Sequence, residues 1–125
     1  MTREEVEEAI LKRESLDGAD LSGLDLSGLD LAAVNLEWAE MDQADLTCAN
    51  LTGADMTEGD LTGANLTGAN LTGAKLTDAN LTGANLTGAN LTGATVTLTP
   101  KNMEALIRAG IFDPSKNAHG EEVEG

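Results

Sequence analysis

The sequence has almost no aromatic residues: Trp38 and Phe112 are the only two, and there is no tyrosine. An ordinary globular core draws on aromatic bulk, whereas one built from stacked Leu and Ala does not need it. Cysteine is just as scarce. Cys48 stands alone, which excludes an internal disulfide. The single histidine, His119, lies near the C-terminus, so no Ser-His or Cys-His arrangement is expected in the body of the chain. Positive charge is also in short supply, with seven Lys and Arg against 22 Asp and Glu and a formal net charge of −15. Nucleic-acid binding rests on Lys and Arg neutralising phosphates, so a direct nucleic-acid partner is excluded. An anionic membrane surface is excluded on the same ground. No apolar run approaches membrane-spanning length. Residues 1–14 are charged and do not read as a signal peptide, so a reducing cytoplasm is the expected location.

What the chain does have is a repeat. From Leu16 to Val96 every fifth residue is a large aliphatic one, seventeen times without a slip, with Met41 and Met56 among the leucines. A period of five fits neither a helix at about 3.6 nor a strand at about 2. It marks a repeat architecture. Two residues before each centre stands Ala in most units, as at Ala44, Ala49, Ala54, Ala64 and Ala69. One before it stands Asp or Asn, and one after it stands Thr from Thr47 to Thr97. Two after it Gly is commonest. In an extended stretch the Ala and the centre point to one face and the Asp or Asn between them to the other. Thr-Gly then turns the chain, Gly supplying a positive φ at little cost. Trp38, Gln43, Cys48, Glu58 and Asp78 hold the same corner place, and turns with negative φ are expected there. A helix would carry a Gly nearly every five residues over 53–93, at about 1 kcal/mol each against Ala. Disordered polar repeats lack regularly placed Leu. Six Asn-Leu-Thr triplets, from Asn50 to Asn90, match a glycosylation acceptor but read as by-products of the repeat.

The unit Ala-(Asp/Asn)-Leu-X-X resembles the consensus of the pentapeptide-repeat proteins over about residues 14–98. The resemblance implies an all-β solenoid: a right-handed quadrilateral β-helix with four pentapeptides to a coil and about four coils. Residues twenty apart would then stack on one face. Asp20, Glu40 and Asp60 would form one outward ladder with Asp42 beside it, and like charges on neighbouring strands repel. The acids concentrate in the first half of the repeat, from Asp17 to Asp60. After that only Asp78 remains, expected to face Lys75, while Asn takes over the outward position. The weakest interior sites are expected at Met41, Met56 and Gly59, which replace Leu, Leu and Ala.

Open solenoid ends invite aggregation, and both ends read as capped by a short α-helix. Residues 1–14 form the N-terminal cap. Thr2 and Glu5 make a capping box, and Val6, Ala9 and Ile10 make an apolar stripe. Leu24, Leu29 and Val34 break the Ala rule in the first coil and imply a wider interior that meets this helix. Residues 15–98 form the β-helix and 99–112 the C-terminal cap. There Thr99-Pro100 starts a helix, Met103, Leu106 and Ile107 form its stripe, and Gly110 ends it. Residues 113–125 read as an acidic tail.

No phosphate loop, zinc-ligand spacing or dinucleotide fingerprint is present. Nothing basic near Cys48 in sequence would activate it, and a filled Leu interior leaves no ligand-sized pocket. The chain is therefore expected to be no enzyme and to hold no cofactor and no metal. The leading expectation is a rigid scaffold for protein–protein interaction with an unknown partner; the acidic ladder reads either as a surface for a basic one or as solubilising charge, with Asp and Asn interchangeable at the outward position. Its candidate contacts are Asp20, Glu40, Asp42 and Asp60. Trp38 is a further candidate, against the plainer expectation that its ring folds over the N-terminal helix. Ile111 and Phe112 complete the set, either finishing the cap or joining two copies, so the chain is expected to be a monomer or a dimer through its C-terminal end. The resemblance also implies an alternative, an acidic DNA mimic that binds DNA gyrase or topoisomerase. Ice binding by the Thr columns is a third, disfavoured because the Thr are spread over four faces. Natural duplication and consensus design of the repeats are not distinguished by the sequence.

Overall fold

The structure, a computed structural model, describes residues 1–112. The expected tail and His119 lie outside the described residues. Between two helices the chain climbs in coils of twenty residues. Parallel single-residue bridges join Asp20 to Glu40, Glu40 to Asp60 and Asp60 to Asn80, and the same offset recurs on the other faces. Each pentapeptide contributes one bridging residue, the Asp or Asn before the centre. Only Lys75–Leu76 (β1) and Thr95–Val96 (β2) pair over two residues, again in parallel and twenty apart.

Three hydrogen bonds tie each unit to its neighbours. The N–H of a centre donates to the outward residue's carbonyl one coil on, as Leu21 does to Glu40 at 2.7 Å. The outward residue's own N–H donates back down, as Glu40 does to Ala19 at 2.9 Å. The corner N–H donates upward, as Gly63 does to Thr82 at 2.8 Å. A fourth bond closes each turn locally, from the Ala N–H to the carbonyl of the preceding centre. Backbone groups that lie between coils are thus satisfied by the repeat itself.

The turns differ from expectation. Every corner from position 18 to position 93 has positive φ, including Trp38 at 61°, Gln43 at 61°, Cys48 at 57°, Glu58 at 61° and Asp78 at 56°. Ala33, at 60°, belongs with them. The negative-φ turns expected at these residues do not occur. The coil register dictates one turn geometry for all corners: a closing bond across four residues with positive φ at the third is the sign pattern of a type II turn. A side chain there costs about 1–2 kcal/mol against glycine.

Centres Leu16 to Leu86 are buried, as are the small residues from Ala39 to Ala84. Leu91 and Val96 are only half-buried, because no further coil lies above them. Met41 and Gly59 compensate each other. A methyl built at Gly59 would lie 3.5 Å from the terminal carbon of Met41, so the longer thioether chain reaches the space that Gly leaves.

Helix α1 spans Arg3–Leu11 and its capping box is complete: the Thr2 hydroxyl accepts from the Glu5 N–H, and the Glu5 carboxylate accepts from the Thr2 N–H. Val6 and Ala9 are buried, with Ile10, Leu24, Leu29 and Val34 packed around them. Arg3 donates to the Asp25 carbonyl at 3.0 Å and so fixes the helix to the first coil. Helix α2 spans Pro100–Arg108 with Thr99 as its N-cap. It ends on Gly110 at φ 74°, with Gly110 N–H to Ile107 O at 2.9 Å and Ile111 N–H to Leu106 O at 3.0 Å, a Schellman closure. Its buried face is Asn102, Ala105 and Leu106; Met103 is half-buried and Ile107 is exposed, unlike the expected stripe. Asn102 replaces a rung of backbone. Its Oδ1 accepts from Leu81 N–H at 2.8 Å, and its Nδ2 donates to Ala79 O at 2.9 Å and Thr97 O at 2.8 Å.

Two predictions follow from the corners and the clamp. Ala33→Gly relieves a strained corner and should stabilise the fold by about 1 kcal/mol, read as a higher urea midpoint. A lower midpoint would refute strain at that corner. Asn102→Ala strands three backbone groups at the last coil and should destabilise by about 2 kcal/mol. An unchanged midpoint would remove Asn102 as the clamp.

Candidate interaction surface

The outward residue of each unit is not simply solvated. Its Oδ1 accepts the N–H two residues on and, where Thr follows the centre, the Thr hydroxyl as well. At Asp60 these bonds measure 3.0 and 2.6 Å, and at Asn90 3.0 and 2.7 Å. This Asx turn leads the chain into each corner. It explains why the repeat alternates freely between Asp and Asn. The sequence showed both the alternation and the constant Thr, but not their bond.

Against that pattern Glu40 stands out. Its longer side chain makes no such bond, while its backbone pairs with Asp20 below and Asp60 above. Asp20 and Glu40 are exposed and Asp60 is half-buried. Asp42, half-buried, accepts from the Ser22 hydroxyl at 2.7 Å. The four candidate carboxylates therefore lie on neighbouring strands of the first coils. Hydrogen bonds from Ser22 hold the Asp20 carboxyl below its ordinary pKa, and those from Ser27 do the same for Asp25.

A second acidic pair joins neighbouring coils. The Asp55 carboxyl is lowered by its bonds from Thr57, while Glu37 is raised, first by its hydrogen bond with Asp55 and then by that residue's charge. Lys75 is the bridge partner of Asp55 one coil on, and its charge favours both carboxylates. No ion pair joins Lys75 to Asp78, contrary to expectation. The twenty-residue register puts Lys75 over Asp55 instead.

Trp38 is 61% exposed. Ile111 is 40% exposed, while Phe112 is half-buried and packs against the core. Cys48 is exposed and free. A cleft of about 570 Å³ lies between the end of α1 and the first coil, lined by Ile10, Arg13, Glu14, Asp30, Val34 and Asn35 among others. No cluster of three potential metal ligands occurs among the described residues, and no described helix is long and apolar enough to cross a membrane.

With the coil geometry in hand, the chain belongs to the pentapeptide-repeat family, whose repeat model matches residues 7–37, 25–63 and 64–99. It is similar to a pentapeptide repeat protein from the Arabidopsis thaliana thylakoid lumen, at 33% identity over 74% of this chain and 77% of that one, with a TM-score of 0.55. A pentapeptide repeat protein from Nostoc Pcc 7120 is 29% identical over 84% of this chain and 88% of that one, with a TM-score of 0.47. One from Cyanothece 51142 is 35% identical over 62% and 60%, with a TM-score of 0.39. No curated protein matches the chain. The fold is accordingly a right-handed β-helix solenoid.

The raised Glu37 carboxyl carries a pH prediction. Its ionised form is disfavoured in the fold, so the repulsion acts above the raised pKa and disappears as pH falls through it. Glu37→Gln should therefore raise the melting temperature at pH ~7, and the gain should shrink by pH ~4. An equal gain at both pH values would show that charge is not the cause.

Proposed function

We propose that this protein is a non-enzymatic, rigid scaffold whose acidic N-terminal coils bind a basic region of a partner protein. One observation carries the reading: Asp20, Glu40 and Asp60 stack on adjacent strands, where like charges oppose folding. The outward column continues as Asn80, which makes the same local bonds without charge. Carboxylates are thus used in the first coils where amides would serve the fold better. The single free Cys48 suits a reducing compartment such as the cytoplasm.

The DNA-mimic alternative calls for charge along the length of the rod, and here the acids gather at one end. For ice binding, the Thr hydroxyls would need to be free. Those of Thr47, Thr52, Thr57, Thr62, Thr67, Thr72, Thr82, Thr87 and Thr92 are committed to Asp or Asn. Neither alternative is favoured.

The test is the triple variant Asp20→Asn, Glu40→Asn, Asp60→Asn, used beside the parent in affinity capture at low and high salt. The expected result is a higher melting temperature together with loss of any partner that high salt also releases. A partner held equally by the variant would overturn the acidic surface, and a lower melting temperature would overturn the repulsion argument.

A further inference from the structure

Six corners carry a side chain at positive φ, and the space above explains some of them. Gln43 lies over Gly63, where a built methyl would meet its amide nitrogen at 2.1 Å. Cys48 lies over Gly68, with Sγ 3.3 Å from the same construction. Each of these side chains covers the bare glycine corner one coil on. Trp38 has no such place, because the corner above it is Glu58, itself at φ 61°. Its ring projects into solvent. One coil below, a methyl built at Gly18 would meet nothing within 4 Å, so that corner is open to solvent.

The surroundings of this open corner are acidic. Glu37 precedes Trp38 in the chain, Glu58 stands one coil above, and Asp17 precedes Gly18 one coil below. Glu40 begins the next face. A large aromatic residue at positive φ is an outlier, here left exposed, with acidic residues next to it in the chain and at the corners one coil above and below. That combination matches one chemistry. A guanidinium is planar and stacks on an indole while its N–H groups bond carboxylates.

We propose that the Gly18–Trp38–Glu58 corner is a docking site for an arginine side chain in an extended segment of a partner protein. The proposal rests on the acidic-scaffold reading and adds its anchor: the ladder attracts a basic segment, and Trp38 fixes where one arginine sits. Arginine is favoured over lysine because the compact ammonium lacks the stacking plane.

Trp38 is the chain's only tryptophan, so its fluorescence reports the site directly. The probe is a short Gly-Arg repeat peptide, with Gly-Lys and Gly-Glu repeats as comparisons, titrated into the full chain at low salt. The expected result is a saturable fluorescence change with Arg, weaker binding with Lys and none with Glu. Trp38→Gly places glycine at a positive-φ corner and should raise the melting temperature, so a failure to fold does not obscure the result. By calorimetry, its affinity for the Arg peptide should fall about tenfold. The Glu37→Gln, Glu58→Gln double variant should weaken binding while leaving Trp38 in place. If Trp38→Gly binds the Arg peptide as the parent does, and the ladder triple variant does not, the anchor is wrong and the acidic ladder stands. Equal binding of Lys and Arg peptides overturns the stacked guanidinium. No binding to the parent overturns the docking site, and the ladder reading is then decided by the capture experiment alone.

Discussion

The corner is the constraint on which the rest of this structure depends. Every five residues the chain must turn with positive φ, and it does so at each corner from position 18 to position 93. Because the turn is the same each time, four of them bring the chain back over itself after twenty residues. That return lets each centre's N–H find a carbonyl one coil on. It also places Leu over Leu and Ala over Ala in the interior. The outward Asx bond prepares each corner by fixing the backbone just ahead of it. Turn, ladder and core are three consequences of one local geometry, which is the agreement across levels that makes a fold specific.

Much of this was legible because the repeat states it so often. The buried Ala and Leu, the outward Asp or Asn and the glycine corners all follow from side-chain alternation and turn chemistry. The capping box at Thr2 and Glu5 and the αL end at Gly110 were legible for the same reason. What the sequence misled on was the corners without glycine. Residue preference favours negative φ at Trp38 or Gln43, but neighbouring coils impose their register, and a corner of the other sign would break the ladder above and below. Asn102 was missed because nothing local marks it. Its role arises only when α2 swings over the last coil and brings an amide to Ala79 and Leu81. The Asx bond is carried by two features the repeat shows separately, the outward Asp or Asn and the constant Thr two residues on.

The candidate surface was legible in composition more than in geometry. The bunching of acids between Asp17 and Asp60 was plain, and the ladder Asp20–Glu40–Asp60 has the register expected of it. The Glu37–Asp55 pair was not foreseen, because the two residues lie eighteen apart in the chain and meet only where Asp55 stacks over Asn35 one coil below. Lys75 was assigned to Asp78 by nearness in sequence, whereas the coil assigns it to Asp55.

Ala33, Trp38, Gln43 and Cys48 are four consecutive corners, one whole turn of the solenoid without a glycine. Glu37, Glu40, Asp42 and Asp45 lie within the same stretch. Side-chain corners at positive φ are densest on this coil, with Glu58 and Asp78 the further ones above it, and the Asp20–Glu40–Asp60 ladder passes through the same coil. Local violations that coincide in space are the pattern a binding site leaves in an otherwise regular fold. A drift of Asp and Asn at outward positions would spread the acids along the solenoid, and it gives no reason for corner glycines to be lost beside them. The contact proposed above would explain both at once, and the exposed indole of Trp38 stands on the same coil.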